Sequence, residues 1–153
     1  MGLAWDPSLA VGVKLIDDQH KELYAHVDAL LRAMLQGKGK SELEPLLGFL
    51  GKYVQEHFGA EEKLMERHAY PEMAEHKKQH VGFIQSFTQA KAQLEKTGPN
   101  PGIAIELNDF LSKWLRQHIS RTDLALAKHL AAVAPELVGG ARPGTAAPQA
   151  ARR

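Results

Sequence analysis

Apolar residues recur at every third or fourth position over four long stretches of the chain, which is the spacing of one face of an α-helix. The first stretch follows Asp17 and Asp18, both good helix N-caps, and stops before Gly37 and Gly39. The second follows a capping-box pattern that starts at Ser41. The pattern predicts four helices, at about residues 17–34, 41–70, 71–96 and 103–134.

The segments outside these stretches are rich in glycine and proline and have no apolar period. We expect residues 1–17 to form an extended arm anchored by Trp5, and the final VGGARPGTAAPQAARR to be a flexible tail. Short connections between amphipathic helices favour antiparallel neighbours. The predicted fold is therefore all-α, an antiparallel up-down-up-down four-helix bundle with an extended N-terminal arm, in which residues 1–134 form the domain and residues 135–153 the tail.

Composition narrows the class of protein further. The chain of 153 residues is long enough for one domain with a hydrophobic core. Its 19 basic and 18 acidic residues create no strong field for nucleic acid, and no apolar run is long enough to cross a membrane. The absence of cysteine excludes thiolate metal ligands and cysteine nucleophiles. We expect a cytoplasmic monomer that binds neither nucleic acid nor membrane.

Ionisable side chains interrupt all four apolar faces near one level of the predicted bundle. Two pairs, His57 with Glu61 and His76 with His80, have the i, i+4 spacing that places both side chains on one helix face. The interruptions fall early, late, early and late along successive helices, as alternating helix directions require for one shared layer. The seven residues are His20, His57, Glu61, His76, His80, His118 and Asp123.

Seven such groups in one small core would be prohibitively unfavourable without a cation, because buried carboxylates and unpartnered imidazoles lose their hydration. Nitrogen and oxygen donors without thiolates suit a transition metal, and seven donors exceed what one ion takes. The chemistry therefore predicts two metal ions, bridged by Glu61 and Asp123. The five histidines divide as three and two, so that one ion keeps a position open for a small molecule.

The remaining polar residues near this layer have a simpler interpretation. His26 lies off the inward face of its helix, while His68 and His129 are near helix ends, where a cation suits the helix dipole. Glu62 neighbours a predicted ligand but faces elsewhere, so we expect it to be solvated. No direct role is expected for these four residues.

Four motifs, DDQHKEL, HFGAE, HKKQH and HISRTD, carry the seven residues and together resemble the hemerythrin family over about residues 5–130, in particular the single-domain bacteriohemerythrins. The resemblance implies a protein that is not an enzyme and that binds O2 reversibly at a non-haem di-iron centre, for oxygen storage, transport or delivery. It implies an oxo or hydroxo bridge between two iron ions, and an oxygen-consuming enzyme as partner. The implied ligands are His76, His80 and His118 on one iron, His20 and His57 on the other, and Glu61 and Asp123 as bridges.

Three other functions fit a four-helix bundle with buried polar residues, but the sequence supports each of them less well than oxygen carriage. Ferritin-like di-iron oxidases have carboxylate-rich sites with a Glu-x-x-His motif on each of two helices, and this sequence contains no such motif. A sensor of O2, nitric oxide or redox state needs a partner contact, and nothing in the chain resembles an output domain. A purely structural bundle would bind no metal. Reversible O2 binding is therefore favoured, with sensing as the alternative and oxidation less favoured.

Apolar neighbours of the predicted ligands are candidates for the lining of an O2 pocket, because they exclude water and protons. Ordinary core packing is an equally good interpretation of each. The candidates are first Leu115 and Ile119, and then Phe58, Leu23 and Trp114.

The spacing of His118 and Asp123 needs a separate explanation, because residues five apart on an ideal α-helix point about 140° from one another. Either the metals lie between the two directions, or the helix is overwound or bulged at this place. A π-type turn at a ligand site is our hypothesis. Regular α-helical hydrogen bonds from Leu115 to Leu126 would exclude it.

Overall fold

The computed structural model describes residues 3–138, which form four long helical segments. The fourth segment is continuous but changes its winding part-way. The elements are α1 (Lys14–Leu35), α2 (Lys40–Arg67), α3 (Met73–Thr97), α4 (Pro101–Gln117), a π-helical turn (His118–Asp123) and α5 (Leu124–Val133). Each helix packs against the next, and α4 also packs against α1, so the predicted all-α four-helix bundle is confirmed.

The interior of the bundle has two halves along its length, one purely hydrophobic and one that contains the predicted ionisable residues. Leu30, Leu50, Leu94 and Leu107 lie in the half that contains the α1–α2 and α3–α4 connections, and all four are buried. Their burial supplies the hydrophobic stabilisation that holds the glycine-containing helices together. The interrupted apolar faces belong to the other half, which holds the α2–α3 connection.

Helix α1 begins earlier than the sequence indicates. Its first residue is Lys14, so the prediction that Asp17 or Asp18 caps the helix is wrong. Asp17 instead lies in the first turn, buried, where its carboxylate accepts hydrogen bonds from the N–H groups of Val11 at 2.8 Å and Gly12 at 3.1 Å. The carboxylate therefore joins the arm to the helix, and it was not available as a cap.

Helix α2 also begins earlier than predicted. It starts at Lys40 with Gly39 as its N-cap, and the N–H of Gly39 donates to Oε1 of Glu42 at 3.2 Å. The capping box predicted at Ser41 is wrong, because Ser41 is already the second helical residue. The α1–α2 connection is consequently limited to residues 36–39.

The N-terminal arm lies along α1. The N–H of Leu3 donates to Oδ1 of Asp28 at 2.9 Å, and the ring of Trp5 makes an edge contact with Tyr24 at 5.8 Å between centroids. The same indole lies 6.3 Å from the ring of His20. Trp5 thus anchors the arm, as its sequence position indicates, and covers one of the interrupted faces.

The segment after α5 returns to the start of α1. Residues Pro135–Leu137 form a 3₁₀ turn, and Val138 makes an isolated antiparallel bridge with Val13. The rest of the predicted tail, residues 139–153, lies outside the described residues. Within residues 3–138, no helix has the length and hydropathy needed to span a bilayer.

Replacing Asp17 with alanine should lower the free energy of unfolding, because two backbone N–H groups would lose their acceptor. Each buried, unsatisfied donor costs about 1–3 kcal/mol. Urea denaturation followed by circular dichroism measures the loss. The matched control is Asp18→Ala, which removes only an exposed ion pair with Lys14 and should cost roughly 0–1 kcal/mol. Equal destabilisation by both variants would contradict the assignment.

Candidate metal centre

The structure brings all seven predicted ligands together in one buried layer. None of their side chains is more than 4% exposed. They come from every helical segment, and the early, late, early and late positions meet as the alternating helix directions require. The layer consists of His20 from α1, His57 and Glu61 from α2, His76 and His80 from α3, and His118 and Asp123 from the π-helical turn.

Two groups of donor atoms can be distinguished in this layer. The three-histidine cluster consists of His76, His80 and His118, and the two-histidine cluster consists of His20 and His57. Each cluster gathers with Glu61 and Asp123 so that one donor atom from every member lies within 4.8 Å of the others. The two carboxylates therefore belong to both groups, which contain five and four residues respectively.

Glu61 presents one carboxylate oxygen to each cluster. Its Oε1 lies 3.2 Å from Nε2 of His76 and 3.1 Å from Nε2 of His80. Its Oε2 lies 3.2 Å from Nε2 of His57 and 3.6 Å from Nε2 of His20. This is the arrangement by which one carboxylate bridges two cations.

Asp123 is arranged in the same way. Its Oδ1 lies 3.1 Å from Nε2 of His76 and 3.2 Å from Nε2 of His118, in the three-histidine cluster. Its Oδ2 lies 3.0 Å from Nε2 of His20, in the two-histidine cluster. Both carboxylates thus divide their oxygens between the same two groups of imidazoles.

These donor atoms are close together but poorly satisfied as hydrogen-bond partners. Within the described residues, Oε2 of Glu61, Nε2 of His20, Nε2 of His118 and both carboxylate oxygens of Asp123 are buried without a hydrogen bond. Such groups cost about 1–3 kcal/mol each when left unpaired. Nitrogen and oxygen donors that crowd together with so few hydrogen bonds among them fit metal coordination, because a cation can accept their unused lone pairs.

The charges of the layer depend strongly on one another. Burial lowers the pKa of His20 and of His76, but the close approach of the Asp123 and Glu61 carboxylates outweighs it and raises both pKa values to about 9. Burial acts to raise the pKa of Glu61, yet the charge of His57 and hydrogen bonds from the imidazoles hold that pKa well below its ordinary value. The pKa of Asp123 is also lowered, by His118 and His20, against burial and the charge of Glu61. These directions favour the ionised form of both carboxylates, which is the form that binds a cation.

The π-helical turn explains how the last two ligands share a direction. The six residues His118–Asp123 are wound as a π-helix, whereas α4 before them and α5 after them are α-helical. Wider winding brings residues five apart to the same side of the helix, and single π turns of this kind recur at functional sites. The hypothesis of a π-type turn is confirmed.

Each of three histidines is held by a second hydrogen bond at its Nδ1 atom, and two of the acceptors are glutamines. The side chain of Gln19 on α1 accepts from His57 at 2.7 Å. Gln79 on α3 accepts from His118 at 2.8 Å and from the hydroxyl of Thr122 at 2.9 Å. Neither glutamine was predicted from the sequence, although each directly precedes a predicted ligand in the repeated dipeptide Gln-His.

The third acceptor is Glu62, and here the prediction of a solvated side chain is wrong. Oε2 of Glu62 lies 2.9 Å from Nδ1 of His80, and only 30% of the glutamate side chain is exposed. Glu62 on α2 turns toward His80 on α3. Sequence periodicity indicates that α2 and α3 are neighbours, but it does not give the distance between two particular side chains.

Aromatic and aliphatic side chains enclose the layer. Phe58 stacks on His80 with 3.8 Å between centroids, and Trp114 stacks on His118 at 4.3 Å. The other predicted pocket residues, Leu23, Leu115 and Ile119, are buried more completely, each 1% exposed. The layer therefore lies in an apolar environment with a low dielectric constant.

Residues 11–130 match the Hemerythrin HHE cation binding domain, which covers the whole layer. The chain belongs to the hemerythrin family. Among its relatives, bacteriohemerythrin of Pseudomonas paraeruginosa is 32% identical over 79% of this chain and 76% of its own length, and that of Stenotrophomonas maltophilia is 30% identical over 85% and 82%. A crystal structure of wild-type hemerythrin, 26% identical, superposes with a TM-score of 0.73 over 84% of this chain and 97% of its own.

Hemerythrins bind O2 at a non-haem di-iron site and are oxygen-binding proteins rather than enzymes. The function predicted for this chain, O2 binding, is therefore confirmed at the level of the family. Myohemerythrin of Sipunculus nudus is 29% identical over 78% of this chain and 86% of its own length.

Proposed function

We propose that this hemerythrin holds two iron ions and binds O2 reversibly, for storage, transport or delivery. The main observation behind this proposal is that Glu61 and Asp123 each direct one carboxylate oxygen to the three-histidine cluster and the other oxygen to the two-histidine cluster. Two carboxylates and two groups of imidazoles then make two adjoining coordination sites. When bound, the ferrous ions supply the electrons on which reversible O2 binding depends.

The two sites are unequal, and we assign O2 to the one with fewer protein donors. The three-histidine cluster and the two carboxylates offer five donor residues, whereas the two-histidine cluster and the same carboxylates offer four. The site with His20 and His57 therefore keeps more room for a small ligand. Gln19 fixes the ring of His57 there, and Trp5 covers the ring of His20.

The chain's own contribution to reversibility is the exclusion of water. Leu115 and Ile119 are buried on either side of His118 along the fourth helical segment, and Leu23 lies on the α1 face that carries His20. Apolar side chains keep protons and water away from the bound ligand, so that O2 can leave unchanged. We assign this role to them, with Phe58 and Trp114 as further members.

An optical titration tests the proposal. The purified, iron-loaded protein is reduced with dithionite, freed of reductant, exposed to air and then flushed with argon. A visible charge-transfer band that appears with air and fades under argon is the expected result, and the metal-free protein is the control. Irreversible oxidation after a single exposure would contradict reversible carriage and favour a redox sensor or an oxidase.

Replacing Leu115 or Ile119 with alanine should speed autoxidation of the oxygenated protein several-fold, because each cavity admits water. The variants also lose about 2–5 kcal/mol of stability, so decay of the visible band is measured well below their melting temperatures. Leu111→Ala is the matched control, since Leu111 is equally buried one turn earlier, farther from the layer. Acceleration of the same size in Leu111→Ala would contradict a specific lining role.

The cellular setting follows from the same proposal. We propose that residues 1–134 act as a monomeric oxygen-binding domain and that an oxygen-consuming enzyme takes up the released O2. Sedimentation of the loaded protein tests the first point. A single species of about 17 kDa is expected, as the mass of the chain is 16.9 kDa.

A further inference from the structure

The outer hydrogen bonds of the histidine layer are chemically unequal. At two histidines the acceptor is a neutral glutamine amide, as described above. At His80 it is the carboxylate of Glu62, 2.9 Å from Nδ1, while Oε1 of Glu61 lies 3.1 Å from Nε2 of the same ring. Within the described residues, Nδ1 of His20 and Nδ1 of His76 are buried without a partner. Within residues 3–138, Glu62 is therefore the one charged acceptor at an Nδ1 atom of these imidazoles.

A carboxylate acts on an imidazole differently from an amide. An ionised carboxylate can only accept, so a proton of His80 lies on Nδ1. When a cation occupies the layer in place of a proton on Nε2, the lone pair of Nε2 faces that cation. The charge-assisted hydrogen bond also draws the proton toward Glu62 and makes Nε2 a stronger electron donor. With 30% of its side chain exposed, Glu62 retains part of this effect despite solvent screening.

We propose that Glu62 is a positioning residue that makes the iron ion of the three-histidine cluster harder to reduce than its neighbour. The negative charge behind His80 favours the ferric over the ferrous state of that ion, and the amides behind His57 and His118 exert no comparable force. The inference rests on the proposed di-iron site. The two ions then have different roles: a carboxylate lowers the reduction potential of one ion, and the other ion keeps the open position.

Two variants and a matched control separate charge from structure. Glu62→Gln keeps the size and an acceptor oxygen but removes the charge, while Glu62→Ala removes the acceptor altogether. Glu66→Gln removes the same charge from an exposed position one turn later on α2. All four proteins, wild type included, are loaded anaerobically with Fe²⁺, and iron stoichiometry, Fe²⁺ affinity and the two reduction potentials are measured.

We expect wild type, Glu62→Gln and Glu66→Gln all to take up two equivalents of iron. The lower of the two reduction potentials should rise in Glu62→Gln and stay unchanged in Glu66→Gln. Glu62→Ala should also bind Fe²⁺ more weakly, by roughly 10–100-fold, as is typical for loss of an outer-shell partner of a metal ligand.

Two results would overturn the inference in distinguishable ways. A wild type that takes up no iron contradicts the di-iron proposal and this inference together. A wild type with two iron ions, beside a Glu62→Gln variant whose potentials match those of Glu66→Gln, overturns the role of Glu62 alone. The potential decides, because a glutamate that served only to hold the ring in place would be replaced by glutamine without changing it.

Discussion

Replacement of Glu61 by alanine will abolish binding of both iron ions, not of one. Because Oε1 of Glu61 faces the three-histidine cluster and Oε2 the two-histidine cluster, the single substitution removes a donor from each site. It also removes one of the two negative charges that offset the ions in a buried layer. The loss in affinity should exceed the roughly 10–100-fold that follows removal of an outer-shell partner. Anaerobic titration of the metal-free variant with Fe²⁺ measures it.

Two further variants make the Glu61 experiment decisive. Glu66→Ala, on the exposed side of α2, should take up iron as the wild type does. Glu61→Gln keeps the shape of the side chain and should still bind far less iron, since the neutral amide is a weaker donor. Circular dichroism confirms that the bundle has formed in each protein. Uptake of one equivalent by Glu61→Ala would show that the carboxylate serves a single ion.

Iron will raise the melting temperature of the metal-free protein by roughly 5–10 °C for each site, at free iron about 100 times the dissociation constant. Binding to the folded state alone adds about 2.7 kcal/mol at that ratio, and 1 kcal/mol shifts the melting temperature of a chain of this size by about 2–4 °C. The binding is confined to the folded state because the donors come from all four helical segments and meet only in the bundle.

The thermal measurement is made anaerobically, by circular dichroism at 222 nm. Magnesium at the same concentration is the control, because it prefers oxygen donors and should leave the melting temperature unchanged. The shift should also vanish in Glu61→Ala. An equal shift with magnesium would indicate nonspecific binding to surface carboxylates.

The layer could be predicted from sequence because two simple quantities determine it. Helical periodicity gives the direction of each side chain, and short connections give the direction of each helix. Together they bring His20 of α1 to the level of His57 and Glu61 of α2. The five-residue spacing of His118 and Asp123 added a constraint that an α-helix does not meet, and so indicated the π-helical turn.

The helix ends and the outer hydrogen bonds were harder to predict, since they depend on contacts between segments. Asp17 is a good N-cap by residue type, but the arm uses its carboxylate. At the end of α2, Ala69 adopts the left-handed conformation, with φ 51°, where glycine is the usual signal. Glu62 was misjudged because its partner, His80, lies on another helix.

The outer hydrogen bonds follow an order along the chain. A side chain on α1 holds a histidine of α2, one on α2 holds a histidine of α3, and one on α3 holds a histidine of the fourth segment. Leucine faces alone would tolerate sliding one helix by a full turn, about 5.4 Å, with much of their burial retained. The polar contacts would not, because such a slip breaks every one of these outer hydrogen bonds that the displaced helix makes. These three outer hydrogen bonds therefore select a single alignment of the helices from those that hydrophobic packing would permit.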